Sequence, residues 1–153
     1  AVAFGEALRP EYKTYARAVI ENAQVLAATL AERGCNLVAG GTDTHLALID
    51  LSPLGVTGRA SDHALERAGI TCNMNAIPND PLPPTQTSGI RVGSPAGTTR
   101  GFATEEFREI GHMIADVLDG LRLSGGEGDA QVEQAVNARV RALCARFPIY
   151  PGF

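Results

Sequence analysis

Among 153 residues, the side chain placed most tellingly for chemistry is an arginine. Arg91 stands in Ser88-Gly89-Ile90-Arg91-Val92-Gly93, between apolar neighbours and just after a proline-rich stretch. A guanidinium there either leans to the surface, pairs with a carboxylate of the protein, or grips an external carboxylate or phosphate through its planar fork. The flanking Gly89 and Gly93 let backbone or ligand come close. Asn73 and Asn75 precede the proline-rich loop, in which Leu82, Pro83 and Pro84 form either a rigid pocket wall or a plain connector. His45, in Asp43-Thr44-His45, leads into an apolar run, and its simplest role is a hydrogen-bonded histidine that orients the turn. Ser94 to Phe102 offers hydroxyls, backbone N–H groups and Arg100, which suit either an anion-holding loop or a turn into the next helix.

The commoner catalytic templates are missing. There is no G-x-S-x-G elbow, no P-loop and no G-x-G-x-x-G. His45, His63 and His112 lack ligand spacing, and Cys35, Cys72 and Cys144 form no C-x-x-C, so neither a metal site nor a disulfide framework is expected. The thiols read as reduced, as in the cytosol. The sole lysine, Lys13, lies in Pro10-Glu11-Tyr12-Lys13-Thr14-Tyr15 near a helix start and reads as a solvated surface residue.

These residues need elements to position them. Tyr12, Tyr15, Val19, Ala23, Leu26 and Leu30 recur on one face and predict a helix over Pro10–Arg33, with Gly34 as its stop. Val2–Leu8 reads as the tail of another helix. Asn36–Ala39 and His45–Leu51 flank Gly40-Gly41-Thr42-Asp43 as an antiparallel strand pair. Thr57 caps a short helix through Ala68, closed by Gly69. Strands are predicted at Ile70–Met74 and Gly89–Gly93, separated by a loop that Pro78, Pro81, Pro83 and Pro84 keep irregular. Apolar stripes predict two closing helices, Thr104–Leu123 and Asp129–Phe147, the second capped by Asp129. The class is α+β: a small antiparallel sheet covered by amphipathic helices.

Composition narrows the function. Thirteen basic and seventeen acidic residues give a net charge of −4, a poor footprint for nucleic acid. No apolar run is long enough to span a membrane, and the N-terminus has no signal-peptide pattern. The first residue is not Met, which points to processing or to a piece of a longer protein.

Taken in order, several blocks resemble serine hydroxymethyltransferase. They are Gly40-Gly41-Thr42-Asp43-Thr44-His45-Leu46, the helix starting at Thr57-Gly58, Gly69-Ile70-Thr71, and Asn73-Met74-Asn75 with Ile77-Pro78-Asn79-Asp80-Pro81. Thr87-Ser88-Gly89-Ile90-Arg91-Val92-Gly93-Ser94-Pro95-Ala96, Thr99-Arg100-Gly101-Phe102 and Arg146-Phe147-Pro148-Ile149-Tyr150 complete the set. The resemblance runs the length of the chain and implies the C-terminal domain of a fold-type-I pyridoxal-phosphate (PLP) transferase. Residues 1-33 would be a helical segment leading out of a large domain, and residues 34-153 the small α+β domain.

The resemblance also implies an activity: transfer of the serine hydroxymethyl carbon to tetrahydrofolate, giving glycine and 5,10-methylenetetrahydrofolate. It implies that Arg91 binds the substrate α-carboxylate and that Asn75, Leu82, Pro83 and Pro84 face the folate. Many bacterial relatives carry a phenylalanine after this loop's proline, where this chain has Thr85 and Gln86. PLP needs a lysine amine as its covalent anchor. In the family that lysine would lie upstream of Ala1, so no catalytic residue is expected here and the chain alone is expected to be inactive. A cytoplasmic homodimer or dimer of dimers is implied. The competing readings are a non-catalytic anion-binding module built on Arg91, and an interaction domain with a large apolar patch that includes Val2–Leu8.

Overall fold

The computed structural model describes residues 1–150. Two helices open the chain, α1 (Val2–Ala7) and α2 (Pro10–Glu32). Pro10 begins α2 where its missing N–H costs nothing. Strands β1 (Asn36–Leu37) and β2 (Leu46–Asp50) follow, then a 3-10 turn at Ser52–Leu54 and α3 (Gly58–Arg67). Thr57 Oγ1 accepts the Ala60 N–H at 3.1 Å, the N-cap its position predicted. Next come β3 (Asn73–Asn75), β4 (Gly89–Gly93), α4 (Pro95–Arg100), α5 (Thr104–Leu123) and α6 (Ala130–Arg146). Asp129 Oδ1 caps α6 by accepting from Gln131 and Val132 N–H.

The four strands form one antiparallel sheet in the order β1-β2-β4-β3, so the predicted β1–β2 pair is present and β4 lies between β2 and β3. Its margins are short: β1 has two residues and β3 has three. Side chains alternate between faces. Ala47, Ile49, Ile90 and Val92 turn toward the helices and are buried with Leu26, Leu30, Leu65, Phe107, Ile114 and Leu118 in one core. Burying each such large side chain contributes about 1.5–3 kcal/mol. The other face of the sheet carries Leu46 and Leu48 on β2, exposed Arg91 on β4, and Asn73 and Asn75 on β3.

Two predicted segments differ. The strand expected at Ile70–Met74 is displaced to Asn73–Asn75. Ile70 belongs to the end of α3: its N–H reaches back to Leu65 O at 2.8 Å, Gly69 takes a φ of +81°, and the Ile70 side chain packs on the core. This is a glycine-closed helix end with its apolar contact, which from sequence reads as the start of a strand. Ser94–Phe102, expected as a loop or turn, contains the helix α4. A Cβ on Gly97 would lie 2.7 Å from Phe107 and 2.9 Å from Phe102, so the ring packing excludes any other residue at that point of the helix.

Polar side chains fasten the long helix to α4. Asn22, buried in the middle of α2, donates to Thr98 Oγ1 at 2.9 Å and Phe102 O at 3.2 Å, and Ser94 Oγ donates to Val19 O at 2.6 Å. The α1 segment is helical as expected and buries nothing; Val2, Phe4 and Leu8 are 78%, 79% and 87% exposed.

Candidate carboxylate and loop site

Arg91 is placed by β4, the strand bracketed by β2 and β3. Its side chain leaves the uncovered face, and Nε donates to Asn73 Oδ1 at 3.2 Å. Asn73 stands directly opposite in the β3–β4 register. Among the described residues no carboxylate lies within ion-pair distance of Arg91, so the internal salt bridge open to it from sequence is not formed. Its two terminal nitrogens therefore remain available to an external anion, in the geometry that suits a carboxylate. A shallow cavity of about 350 Å³ opens beside it, lined by Arg91, Asn73, Cys72, Thr71, His45 and Gly93 among others.

His45 is thus brought to the edge of the same cavity, but not in the role expected of it. Its side chain is exposed and makes no hydrogen bond among the described residues. The turn is organised instead by Thr42 Oγ1, which donates to Leu46 O at 2.6 Å and accepts from Thr44 N at 3.1 Å. Only the backbone of His45 is used, its carbonyl accepting the Ser94 N–H at 3.0 Å.

Asn75 lies two residues along β3 from Asn73, on the same uncovered face, and its Nδ2 donates to Ala76 O at 2.8 Å. The loop 76–88 then carries half-buried Leu82 and exposed Pro83 and Pro84. None of Asn75, Leu82, Pro83 or Pro84 lines the cavity at Arg91. The loop is ordered by a carboxylate that the sequence did not single out. Asp80 Oδ2 accepts from Ile77 N at 3.1 Å and Ser88 N at 2.8 Å, while Oδ1 accepts from Leu82 N at 2.9 Å and Ser88 Oγ at 2.7 Å. Desolvation alone would raise its pKa, but the bonds from Ser88, Leu82 and Ile77 outweigh it and hold the carboxyl at about 2. The available signal was Asn79-Asp80-Pro81 followed by Ser88, an acid in a turn with a hydroxyl at the loop's exit. The exit of the loop is seated on α3: Gly58 N donates to Thr87 O and Arg59 N to Gln86 O, both at 2.9 Å. A Cβ on Gly58 would collide with Thr87 Oγ1 and Gly89 O.

Arg100 is not an anion site. Nε donates to Phe147 O at 2.6 Å and one terminal nitrogen to Cys144 O at 3.0 Å, so the guanidinium closes the carbonyl end of α6. Lys13 is exposed on the first turn of α2. Burial, then the Asp62 carboxylate, pushes the Cys72 thiol up to about 12. Among the described residues no cluster of His, Cys, Asp or Glu is arranged to hold a metal ion, and no helix is long and apolar enough to cross a membrane.

The family profile described as serine hydroxymethyltransferase matches residues 1–114. The chain is 75% identical over 151 residues to the serine hydroxymethyltransferase of Rhizorhabdus wittichii, covering 99% of this chain and 34% of that protein. It is 70% identical to the proteins of the same name from Sphingopyxis alaskensis and Zymomonas mobilis, each time covering 99% of this chain and 35% of the relative. The chain therefore spans about a third of the length of the relatives it matches. Profile, identity and the α+β fold agree: the chain belongs to the serine hydroxymethyltransferase family.

Proposed function

We propose that this chain forms the substrate-carboxylate and folate-facing part of a PLP-dependent enzyme that transfers the hydroxymethyl carbon of serine to tetrahydrofolate. The products are glycine and 5,10-methylenetetrahydrofolate. The observation that carries the reading is Arg91, an arginine on an uncovered strand face, steadied through Nε and without a carboxylate partner among the described residues. In this reading the two terminal nitrogens bind the α-carboxylate of serine or glycine. Asn75 and Leu82–Pro84 face the folate, the amide supplying polar contacts and the prolines a wall that loses little entropy on binding.

The residues of this chain do not by themselves fit PLP. The cofactor requires a lysine anchor, and the sole lysine, Lys13, is exposed on α2 and absent from the lining of the Arg91 cavity. The role assigned to the chain is accordingly to bind and orient, and the isolated chain is inactive. The working enzyme in this reading is a cytoplasmic homodimer or dimer of dimers. The exposed apolar side chains of α1 also favour an interaction surface on this chain.

The test is a pair of assays. The full-length protein loaded with PLP should convert serine to glycine only when tetrahydrofolate is present in stoichiometric supply, and the isolated chain should not. The isolated chain, incubated with PLP and freed of excess, should retain no stable visible absorption band. A stoichiometric band mapped to Lys13 after borohydride reduction would overturn the assignment.

A further inference from the structure

One carboxylate in the candidate site has no assigned role, although it makes more hydrogen bonds than any other side chain there. Asp80 joins three points of the loop 76–88: its entry at Ile77, its middle at Leu82 and its exit at Ser88. Four of the loop's residues are prolines without an N–H, so the loop has few backbone donors with which to order itself. Its own internal bonds are Asp80 N to Ile77 O at 3.1 Å, and Gln86 N and Thr87 N to Pro83 O at 2.9 and 3.0 Å. The Asp80 carboxylate ties the entry, middle and exit to one another, while Gly58 N and Arg59 N hold the carbonyls of Thr87 and Gln86 on α3. Ser88, which takes two of its four bonds, adjoins β4, and the Ser88 carbonyl in turn accepts the Leu51 N–H at 2.8 Å. Thr87, held between these anchors, has a φ of +52°, a backbone state that a side chain enters only under constraint.

We propose that Asp80 is a positioning residue for the folate: it fixes Leu82–Pro84 against the start of β4, so that the wall is formed before the ligand arrives. It does this without touching the ligand. The inference rests on the folate reading above and adds to it the residue that sets the loop's shape. Each carboxylate oxygen accepts two bonds. An amide has one accepting oxygen, so Asp80→Asn loses the Leu82 N–H bond if its NH2 turns toward Ser88 Oγ, which can then accept, or the Ile77 and Ser88 N–H bonds if it turns the other way. A looser loop must be ordered at the moment of binding, and that cost falls on the affinity for the ligand that meets the loop.

The experiment uses the full-length, PLP-loaded protein as wild type, Asp80→Asn and Ser88→Ala, with serine and tetrahydrofolate varied separately. Asp80→Asn should raise the KM for tetrahydrofolate about tenfold, the loss of charged hydrogen bonds, while the KM for serine and kcat change less than about twofold. Ser88→Ala, which removes the one hydroxyl bond, should give a smaller rise of about threefold in the same constant. An unchanged tetrahydrofolate KM, or equal losses in both substrates, overturns the proposal. If Asp80→Asn does not fold, Ser88→Ala decides on the same criterion. Hydrogen exchange of the Ile77, Leu82 and Ser88 amides gives a readout independent of turnover. Faster exchange in Asp80→Asn supports the proposal, and unchanged exchange overturns it. A wild-type protein without tetrahydrofolate-dependent turnover would sink the folate reading instead, leaving the exchange data to judge the hold of Asp80 on its loop.

Discussion

Asn73 Oδ1 accepts the Arg91 Nε–H at 3.2 Å from the position directly across the β3–β4 ladder. That contact uses the one guanidinium nitrogen a bidentate carboxylate does not need when it docks on the terminal pair. It limits rotation of the fork while leaving its binding edge free. A lysine at this position could neither accept the same support nor present two parallel donors.

On the proposed role of Arg91 in binding the serine carboxylate, Arg91→Lys in the full-length protein should raise the KM for serine by about a hundredfold or more, the scale for removing one partner of a charged hydrogen-bonded pair. Asn73→Ala should raise it only a few-fold, since the fork remains but is less restrained. Both side chains lie on the uncovered face, so melting temperatures should stay close to wild type. A large loss of thermal stability in Arg91→Lys would show the arginine to be structural.

Glu133 is the buried partner of a two-bond ion pair, with Arg67 Nε on Oε2 at 2.6 Å and a terminal nitrogen on Oε1 at 2.7 Å. The pair ties the last turn of α3 to the first turn of α6. Glu133→Gln should lower stability by about 2 kcal/mol, the scale of a hydrogen bond to a charged group. In a domain of this size that is a fall of about 4–8 °C in Tm. Glu105→Gln, on the exposed side of α5, is the control that should leave Tm unchanged. Equal effects of the two substitutions would contradict the structure.

Cys72, with its thiol pushed up to about 12, should be almost wholly protonated at pH 8, with about one molecule in ten thousand as thiolate. Cys35 is buried and raised in the same direction, by desolvation first and then by Asp119. Both should resist iodoacetamide in the native chain and react once guanidinium unfolds it. Peptide mapping after a timed pulse reads this directly, and rapid native labelling of Cys72 would contradict its placement.

The Asp80 carboxyl sits at about 2 in the fold against an ordinary value of 3.8. A depressed pKa means the ionised form is favoured by folding, so its contribution is fully present above about pH 4 and is lost as pH falls through about 2. The amide resonances of Leu82 and Ser88 should accordingly titrate with a midpoint near 2. A midpoint near 4 would mean that the carboxylate does not hold these N–H groups.

Most of the helical frame could be read from side-chain period and caps. Thr104–Leu123 has the predicted ends, and Thr57 and Asp129 cap as their types require. What could not be read depended on three-dimensional packing rather than on residue type. Ile70 looked like a strand residue because an apolar side chain after a glycine serves a helix end as well as a strand start. The helix α4 was hidden by Pro95 and Gly97, and Gly97 is explained only by the rings of Phe102, just past the helix, and Phe107, on α5. In the site, the setting of Arg91 among apolar neighbours marked it as a candidate. That it meets no carboxylate among the described residues, and that Asn73 supports it, needed the strand register. Arg100 and His45 show the converse, since residue type alone could not reveal that one closes α6 and the other leaves the turn to Thr42.

The sheet's margins have a consequence for self-association. A strand edge with unpaired N–H and C=O groups is a template for another chain, and an antiparallel sheet with one wet face would be prone to grow sideways or stack into fibres. Here the outer strands are two and three residues long, and β3 ends in a loop crowded with proline. An incoming strand would find too little ladder to register on. The chain can thus keep the strand face that carries Arg91, Asn73 and Asn75 uncovered in concentrated solution without the sheet's edges seeding polymer growth.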